Sequence, residues 1–221
     1  MSRAVIVMAK GAEPGRVKTR LTPAVTPERA AALQQAFIDD HARRPWPADA
    51  RWLFASGGPD ASFDVPRSLG WTIRPQEGAD LGARMKGAFD IVLAEHGAVM
   101  IFGTDSPDVP NGWVDAGFAA LESGADVVIG PSADGGYWTL GLRAPCAALF
   151  DTMTWSTEDV FAETLRRAQA AGLAVHVLPL WYDVDTVADL ERLRLHSVHE
   201  HAAHRPHRPG ETLAWLASYQ G

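Results

Sequence analysis

The eleven residues from Lys10 to Arg20, KGAEPGRVKTR, hold four cations and two glycines in a chain that is otherwise acidic. That combination suits a polyphosphate. Gly15 lets the backbone approach closely, free N–H groups cradle oxygens, and Arg16, Lys18 and Arg20 neutralise charge. The spacing is not that of a Walker loop, since three residues separate Gly11 from Gly15 and Lys18 follows late, and no Gly-x-Gly-x-x-Gly offers a dinucleotide site. Three more segments offer complementary chemistry. Gly103-Thr-Asp105-Ser-Pro-Asp108 sets a carboxylate behind an apolar run, where a hard cation such as Mg²⁺ takes one or two carboxylates plus substrate phosphates. On pattern alone an isolated Asp-x-Pro favours an Asx turn or a helix cap leading into Trp113, and Asp108 reads as such a cap. Gly130-Pro-Ser-Ala-Asp134-Gly-Gly136-Tyr-Trp joins a hairpin-type glycine turn to two rings, Tyr137 and Trp138, that can line a pocket and stack on a base or sugar. Asp183 and Asp185 point the same way in extended backbone and exceed what one helix start needs.

These loops need a scaffold, and the chain supplies one. Apolar, β-branched runs recur at Ala4–Ala9, Trp52–Ala55, Ala98–Phe102, Asp126–Ile129 and Ala174–Leu180, with a weaker one at Trp71–Arg74. Helical segments lie between them. Their starts carry Thr26 before Pro27, Ser156 or Thr157 before Glu158, and Thr186 three residues ahead of Asp189. Leu81, Met85, Phe89 and Val92 fall at helical spacing within Asp80–Glu95, and Trp113–Glu122 ends before Gly124. Strand and helix in alternation predict an α/β sandwich with a mostly parallel sheet. In such a sheet ligands bind beyond the carboxyl ends of the strands, where all four loops fall.

Composition narrows the function classes. The chain has 221 residues and a net charge of −7, so nucleic acid and anionic lipid are not expected partners and any anion site must be local. A single domain over residues 1–221 is expected. With Cys146 alone no internal disulfide can form, and the longest run without Asp, Glu, Lys or Arg, Ala168–Tyr182, is too short and broken to span a bilayer. A cytoplasmic location is expected. Five of the eight histidines fall between His196 and His207. Without a flanking carboxylate or cysteine to complete a ligand set, residues 196–209 read as a surface connection before a last short helix, Glu211–Ser218.

Taken as a set, MAKGAEPGRVKTRL, QEGADLGARM, IFGTDSPDVP, GPSADGGYWTLGLR, WST and YDVDTVADLERL resemble one group over nearly the whole chain. It is the bacterial GT-A-like glycosyltransferase family of the DUF2064 type, in the nucleotide-diphospho-sugar transferase superfamily, akin to the phospholactate and molybdopterin nucleotidyltransferases. The resemblance implies a Rossmann-type three-layer α/β/α sandwich and Mg²⁺- or Mn²⁺-dependent attack on an activated nucleotide. By it, Arg16, Lys18 and Arg20 hold phosphates beside Gly15, and Asp105 ligates the metal with Asp185 and Asp183. Gln76, Arg84, Gly135, Gly136, Tyr137, Trp155 and Ser156 contact substrate. Catalysis would rest on Asp105 and Lys18, with Asp134 as base for a hydroxyl acceptor. The family's customary label favours a nucleotide sugar as donor to a small-molecule acceptor. The basic loop favours the alternative, joining a nucleoside triphosphate to a small phosphorylated acceptor with loss of pyrophosphate, and an inactive nucleotide-binding module is the third reading. Ser106 stands where a strict Asp-x-Asp motif would place its spacer before a second acid.

Overall fold

The computed structural model describes residues 1–22, 24–198 and 207–219. Seven strands form one sheet: β1 (Arg3–Lys10), β2 (Ala50–Ser56), β3 (Thr72–Pro75), β4 (Ala98–Gly103), β5 (Val127–Pro131), β6 (Tyr137–Leu142) and β7 (Val175–Val177), in the order β3-β2-β1-β4-β6-β5-β7. All pairings are parallel except those of β6, which runs antiparallel to both β4 and β5. The mostly parallel three-layer sandwich is therefore the observed architecture.

Alternation along the central strands explains the layering. Val5 and Val7 of β1 join Met100 and Phe102 of β4 under α1 (Pro27–Arg43), α2 (Asp64–Ser68) and α4 (Asn111–Glu122). Ala4 and Ile6 join Val99 and Ile101 under α3 (Leu81–Leu93) and α5 (Val160–Ala170). A third cluster lies to one side. There Leu33 and Phe37 of α1 meet Leu190 and Leu193 of α6 (Val187–Val198) and Trp215 and Leu216 of α7 (Gly210–Ser218), together with Leu21 and Val184. This cluster packs the chain just after the basic loop against the chain that carries Asp183 and Asp185.

The helix starts are partly as expected. Thr26 accepts from Arg29 N–H and Asp80 from Ala83 N–H, while Thr186 and Asp189 cap each other reciprocally. Three expectations are corrected. Neither Ser156 nor Thr157 caps α5: Ser156 has φ 63°, and the helix begins only at Val160 after an uncapped Asp159. Asp108 is no cap either, being 2% exposed and accepting from Trp181 Nε1 and Tyr182 Oη. The run Ala174–Leu180 gives a strand only at Val175–Val177. Pairing with β5 runs on through Leu178 N–H, which donates to Ile129 O, breaks where Pro131 of β5 has no N–H to give, and resumes at Trp181, which donates to Pro131 O. The periodicity also overstates the buried stripe of α3, since Leu81 is 42% exposed.

The helix at the chain's end is observed as Gly210–Ser218, and Asp40 of α1 holds it, accepting from the N–H groups of Glu211 and Thr212 at 2.9 and 2.8 Å. Of the expected surface connection at 196–209, His196 belongs instead to α6, with its Nδ1 3.2 Å from Tyr182 Oη, and 199–206, with His199, His201 and His204, lie outside the described residues. Asp40→Ala should lower the unfolding free energy by about 1–2 kcal/mol, the scale of a lost N-terminal cap. Urea titration gives the loss, and protease susceptibility of the last helix should rise with it.

Candidate functional site

The carboxyl ends of the strands bring the predicted loops together. The loop after β4 is tied to the segment after β7 by Val184 N–H, which donates to Asp105 O at 2.7 Å. Asp183 extends that tie. Its Oδ1 lies 2.5 Å from the Ser106 hydroxyl and its Oδ2 accepts from the Ser132 hydroxyl at 2.9 Å, so one carboxylate joins the loops after β4, β5 and β7. Burial, reinforced by the charge of Asp105, pushes Asp183 up to about 6 against the opposing serine hydrogen bonds. Ser106 and Ser132 both lie inside the quoted motifs, but nothing in the sequence marks either as a partner of Asp183.

Lys18 sits under the other two aspartates. It occupies the left-handed region at φ 48°, and its side chain is 3% exposed. Its Nζ donates to Val184 O at 2.7 Å and lies 2.7 Å from Asp105 Oδ1 and 3.2 Å from Asp185 Oδ1, with the Phe37 ring centroid at 4.9 Å. Burial alone would lower its pKa, but Asp105 and Asp185 outweigh that and raise it. All three donors of the ammonium thus face protein oxygens. This arrangement makes Lys18 the internal counterion of Asp105 and Asp185, where the sequence reading set it on phosphate. The exposed cations of the loop are Lys10, which donates to Arg16 O, Arg20, which reaches Asp185 Oδ2 at 3.2 Å with 74% of its side chain accessible, and Arg16, 70% accessible and 3.8 Å from Glu13. Gly15, at φ 76°, turns the loop between them and Lys10.

A cleft of about 540 Å³ opens over the aspartates, with Asp105, Asp183, Asp185, Asp134 and Arg20 at one end and Leu81, Tyr137, Trp155 and Val160 along its wall. Gly136 and Ser156 also line it. Asp134 accepts Gly136 N–H at 2.9 Å through Oδ1. Gly135, at φ 89°, packs so that a Cβ would collide with Glu158 O, and this close approach sets Glu158 into the cleft. Trp138 does not line it. As the second residue of β6 it points to the opposite face, 3% exposed, with Nε1 donating to Pro179 O. Arg84 donates to Gly78 O and lines a separate pocket of about 200 Å³ with Arg74 and Glu77. Gln76 donates to Ala9 O and Phe54 O, sealing the ends of β1 and β2. Sequence reasoning missed Leu81 and Glu158 as lining residues, because both read as ordinary helix-start positions.

Oxygen donors dominate the site, and hard divalent cations take such ligands. Asp105 and Asp185, held within reach of one ammonium, fit the one or two carboxylates that such an ion needs, whereas both oxygens of Asp183 are engaged by serines. Among the described residues no group of three Asp, Glu, His or Cys is placed to hold a metal by itself. No described helix is long and apolar enough to cross a membrane.

The Asp183 shift carries a stability consequence. Its folded value lies above the unfolded one, so the native state binds the proton more tightly and stability falls as pH rises from about 4 to 6, with the deficit complete above 6. Asp183→Asn should therefore gain on the wild type by about 2–3 kcal/mol between those limits, the free energy of a two-unit shift. Urea unfolding of both proteins from about pH 3.5 to about pH 7 checks it, and a pH-independent difference would contradict it.

Known proteins share this sequence pattern and fold. The chain is 32% identical over 190 residues to 2-phospho-L-lactate guanylyltransferase of Methanothermobacter thermautotrophicus, covering 84% of this chain and 82% of the relative. A solved structure from Desulfovibrio desulfuricans, provisionally named a nucleotide-diphospho-sugar transferase, matches with TM-score 0.80 and 32% identity over 99% of both chains. A manganese complex of a Mycobacterium tuberculosis protein shares the fold at TM-score 0.52 and 16% identity, over 87% of this chain and 98% of that one. Residues 39–157 match the DUF2064 family, described as an uncharacterized protein conserved in bacteria, and the chain belongs to that family.

Proposed function

We propose that the chain is a nucleotidyltransferase that takes a nucleoside triphosphate, passes its nucleoside monophosphate to a small acceptor and releases pyrophosphate. The observation that carries this reading is the loop after β1, whose exposed Arg16 and Arg20 lie on the same loop as the buried Lys18 that gathers Asp105 and Asp185. Exposed cations are what a leaving pyrophosphate needs, because negative charge grows on it as the bond breaks. The guanylyltransferase name of the archaeal relative supports the same choice over sugar transfer, which the family's customary label favours.

In the reaction the acceptor oxygen forms a bond to the α-phosphorus while the α–β bridging bond breaks, and pyrophosphate leaves with the electron pair. A hydroxyl acceptor must also lose a proton. In this reading Asp134 takes it, supported by its position in the cleft lining and by the engagement of its Oδ1 alone, by the Gly136 N–H. Arg20 holds the departing phosphates and Lys18 keeps Asp105 and Asp185 facing one point. A divalent cation bound there by Asp105 and Asp185 would supply electrostatic stabilisation of the phosphate oxygens. Asp183, by tying Ser106 to Ser132, fixes the loops on which these groups sit.

Thermal shift with Mg²⁺ tests the donor. At least one nucleoside triphosphate should stabilise the chain by about 2.7 kcal/mol at a hundred times its Kd, and more than UDP-glucose or GDP-mannose do at equal concentration. Stabilisation by the nucleotide sugars alone would return the reading to sugar transfer. A double-mutant cycle tests the centre. Asp105→Asn and Asp185→Asn should each abolish the Mg²⁺-dependent part of nucleotide affinity, and the pair should add little, because residues that act through one ion are not additive. Additive, Mg²⁺-independent losses in calorimetry would remove the shared site.

A further inference from the structure

We infer that Arg192, together with Arg20, forms a phosphate subsite beside the carboxylates, and that Arg192 is a binding residue of this site. The subsite deepens the nucleotidyl reading above, on which only the choice of molecule that carries the phosphate rests. A second pocket, of about 230 Å³, adjoins the cleft and shares Arg20, Asp134, Asp183 and Asp185 with it. Tyr182, Thr186, Asp189 and Arg192 extend its lining along the chain that enters α6.

Helical spacing alone would pair Arg192 with Asp189, one turn before it. The fold sends each elsewhere. Asp189 Oδ2 turns to the helix start, accepting from the Thr186 N–H at 2.8 Å, the Thr186 hydroxyl at 2.7 Å and the Asp185 N–H at 3.2 Å. Arg192 lies over the Tyr182 ring, with its Cζ 4.9 Å from the centroid, and makes no ion pair or hydrogen bond among the described residues. That platform is fixed, because Tyr182 is 4% exposed and its hydroxyl donates to buried Asp108 at 2.6 Å. A guanidinium packed by its face on a ring keeps its N–H edge free, and that edge binds phosphate as a fork. Arg20 brings a second guanidinium to the same pocket, committing one nitrogen to Asp185 with 74% of its side chain accessible. None of the pocket's acids claims Arg192. Both oxygens of Asp183 accept from serines, Asp134 accepts from Gly136 N–H, and Asp185, given above to the cation, already meets Lys18 and Arg20. Two guanidiniums on separate segments suit a tetrahedral group, whose oxygens point in several directions, better than a carboxylate, which one fork fills. Two molecules of the reaction can carry such a group: the triphosphate at its pyrophosphate end, and an acceptor that is itself phosphorylated.

Calorimetry on the full chain with Mg²⁺ compares the parent with Arg192→Gln and Arg192→Lys, neither of which removes a described hydrogen bond. The donor arm titrates pyrophosphate, the triphosphate that gives the largest thermal shift, and the matching monophosphate. The acceptor arm titrates inorganic phosphate and 2-phospho-L-lactate with the α,β-methylene analogue of that triphosphate already bound. Arg192→Gln should weaken either pyrophosphate and triphosphate or the acceptor probes about tenfold, the scale of one lost charged hydrogen bond, with Arg192→Lys recovering part of the loss and the monophosphate unchanged. Loss confined to pyrophosphate and triphosphate gives the group to the donor, and loss confined to the acceptor arm gives it to the acceptor. Unchanged affinity for every probe overturns the subsite, as does an equal loss for the monophosphate or a parent that binds none of the probes. The two readings fail separately. Arg192-dependent binding of pyrophosphate or phosphate without triphosphate binding sinks only the nucleotidyl assignment, while intact triphosphate binding with no dependence on Arg192 in either arm sinks only the subsite.

Discussion

One buried ammonium organises the site. Lys18 lies between Asp105 and Asp185 and donates to Val184 O, so three segments far apart in sequence converge on a single nitrogen. Without it, two carboxylates on facing loops would repel each other. The position is costly in backbone terms, because a non-glycine residue at φ 48° gives up favourable conformational space. The surrounding structure over-determines it. Leu21 and Phe37 on one side and Val184 and Leu190 on the other form a continuous apolar cluster behind the ammonium, and α7 closes that cluster through Trp215 and Leu216.

Negative charge is concentrated in the cleft and positive charge is kept at its margin. The consequence is visible in Asp183, whose carboxyl is pushed up to about 6 by burial and by neighbouring Asp105 while two serine hydroxyls hold it in place. The serines cannot neutralise the charge; they only orient it. Arg20, by contrast, stays largely in solvent and touches the cluster through one nitrogen, leaving the rest of its guanidinium available to a ligand.

A second polar network stiffens the wall behind Asp105. Buried Asp108 accepts from Trp181 Nε1 and Tyr182 Oη, and Arg44, fully buried and lowered to about 9 by desolvation, donates to Val109 O. His41 is driven down to about 3 by burial and so is neutral, with Nε2 at 3.3 Å from Thr104 O. These contacts tie the loop after β4 to α1 and to the chain entering α6. Asp105 therefore projects from a segment anchored from both sides.

Much was legible in the sequence because it depends on local physics. Doubly buried strands need apolar runs, helix starts need caps such as Thr26 and Thr186, and a parallel sheet exposes its strand ends, so the four loops could be named from their residues alone. The family followed from the motifs those loops carry. Other features are decided only when distant segments meet. Tyr137 and Trp138 are neighbours in the chain, yet antiparallel β6 turns one to the cleft and buries the other, a choice set by register and invisible to composition. Asp108 looks like a cap until Trp181 and Tyr182 arrive from beyond β7 to donate to it. Lys18, Arg16 and Arg20 look interchangeable as members of one basic loop. Only the packed fold separates them, because burial forces an ammonium to find carboxylates, whereas a solvated guanidinium remains free for whatever enters the cleft.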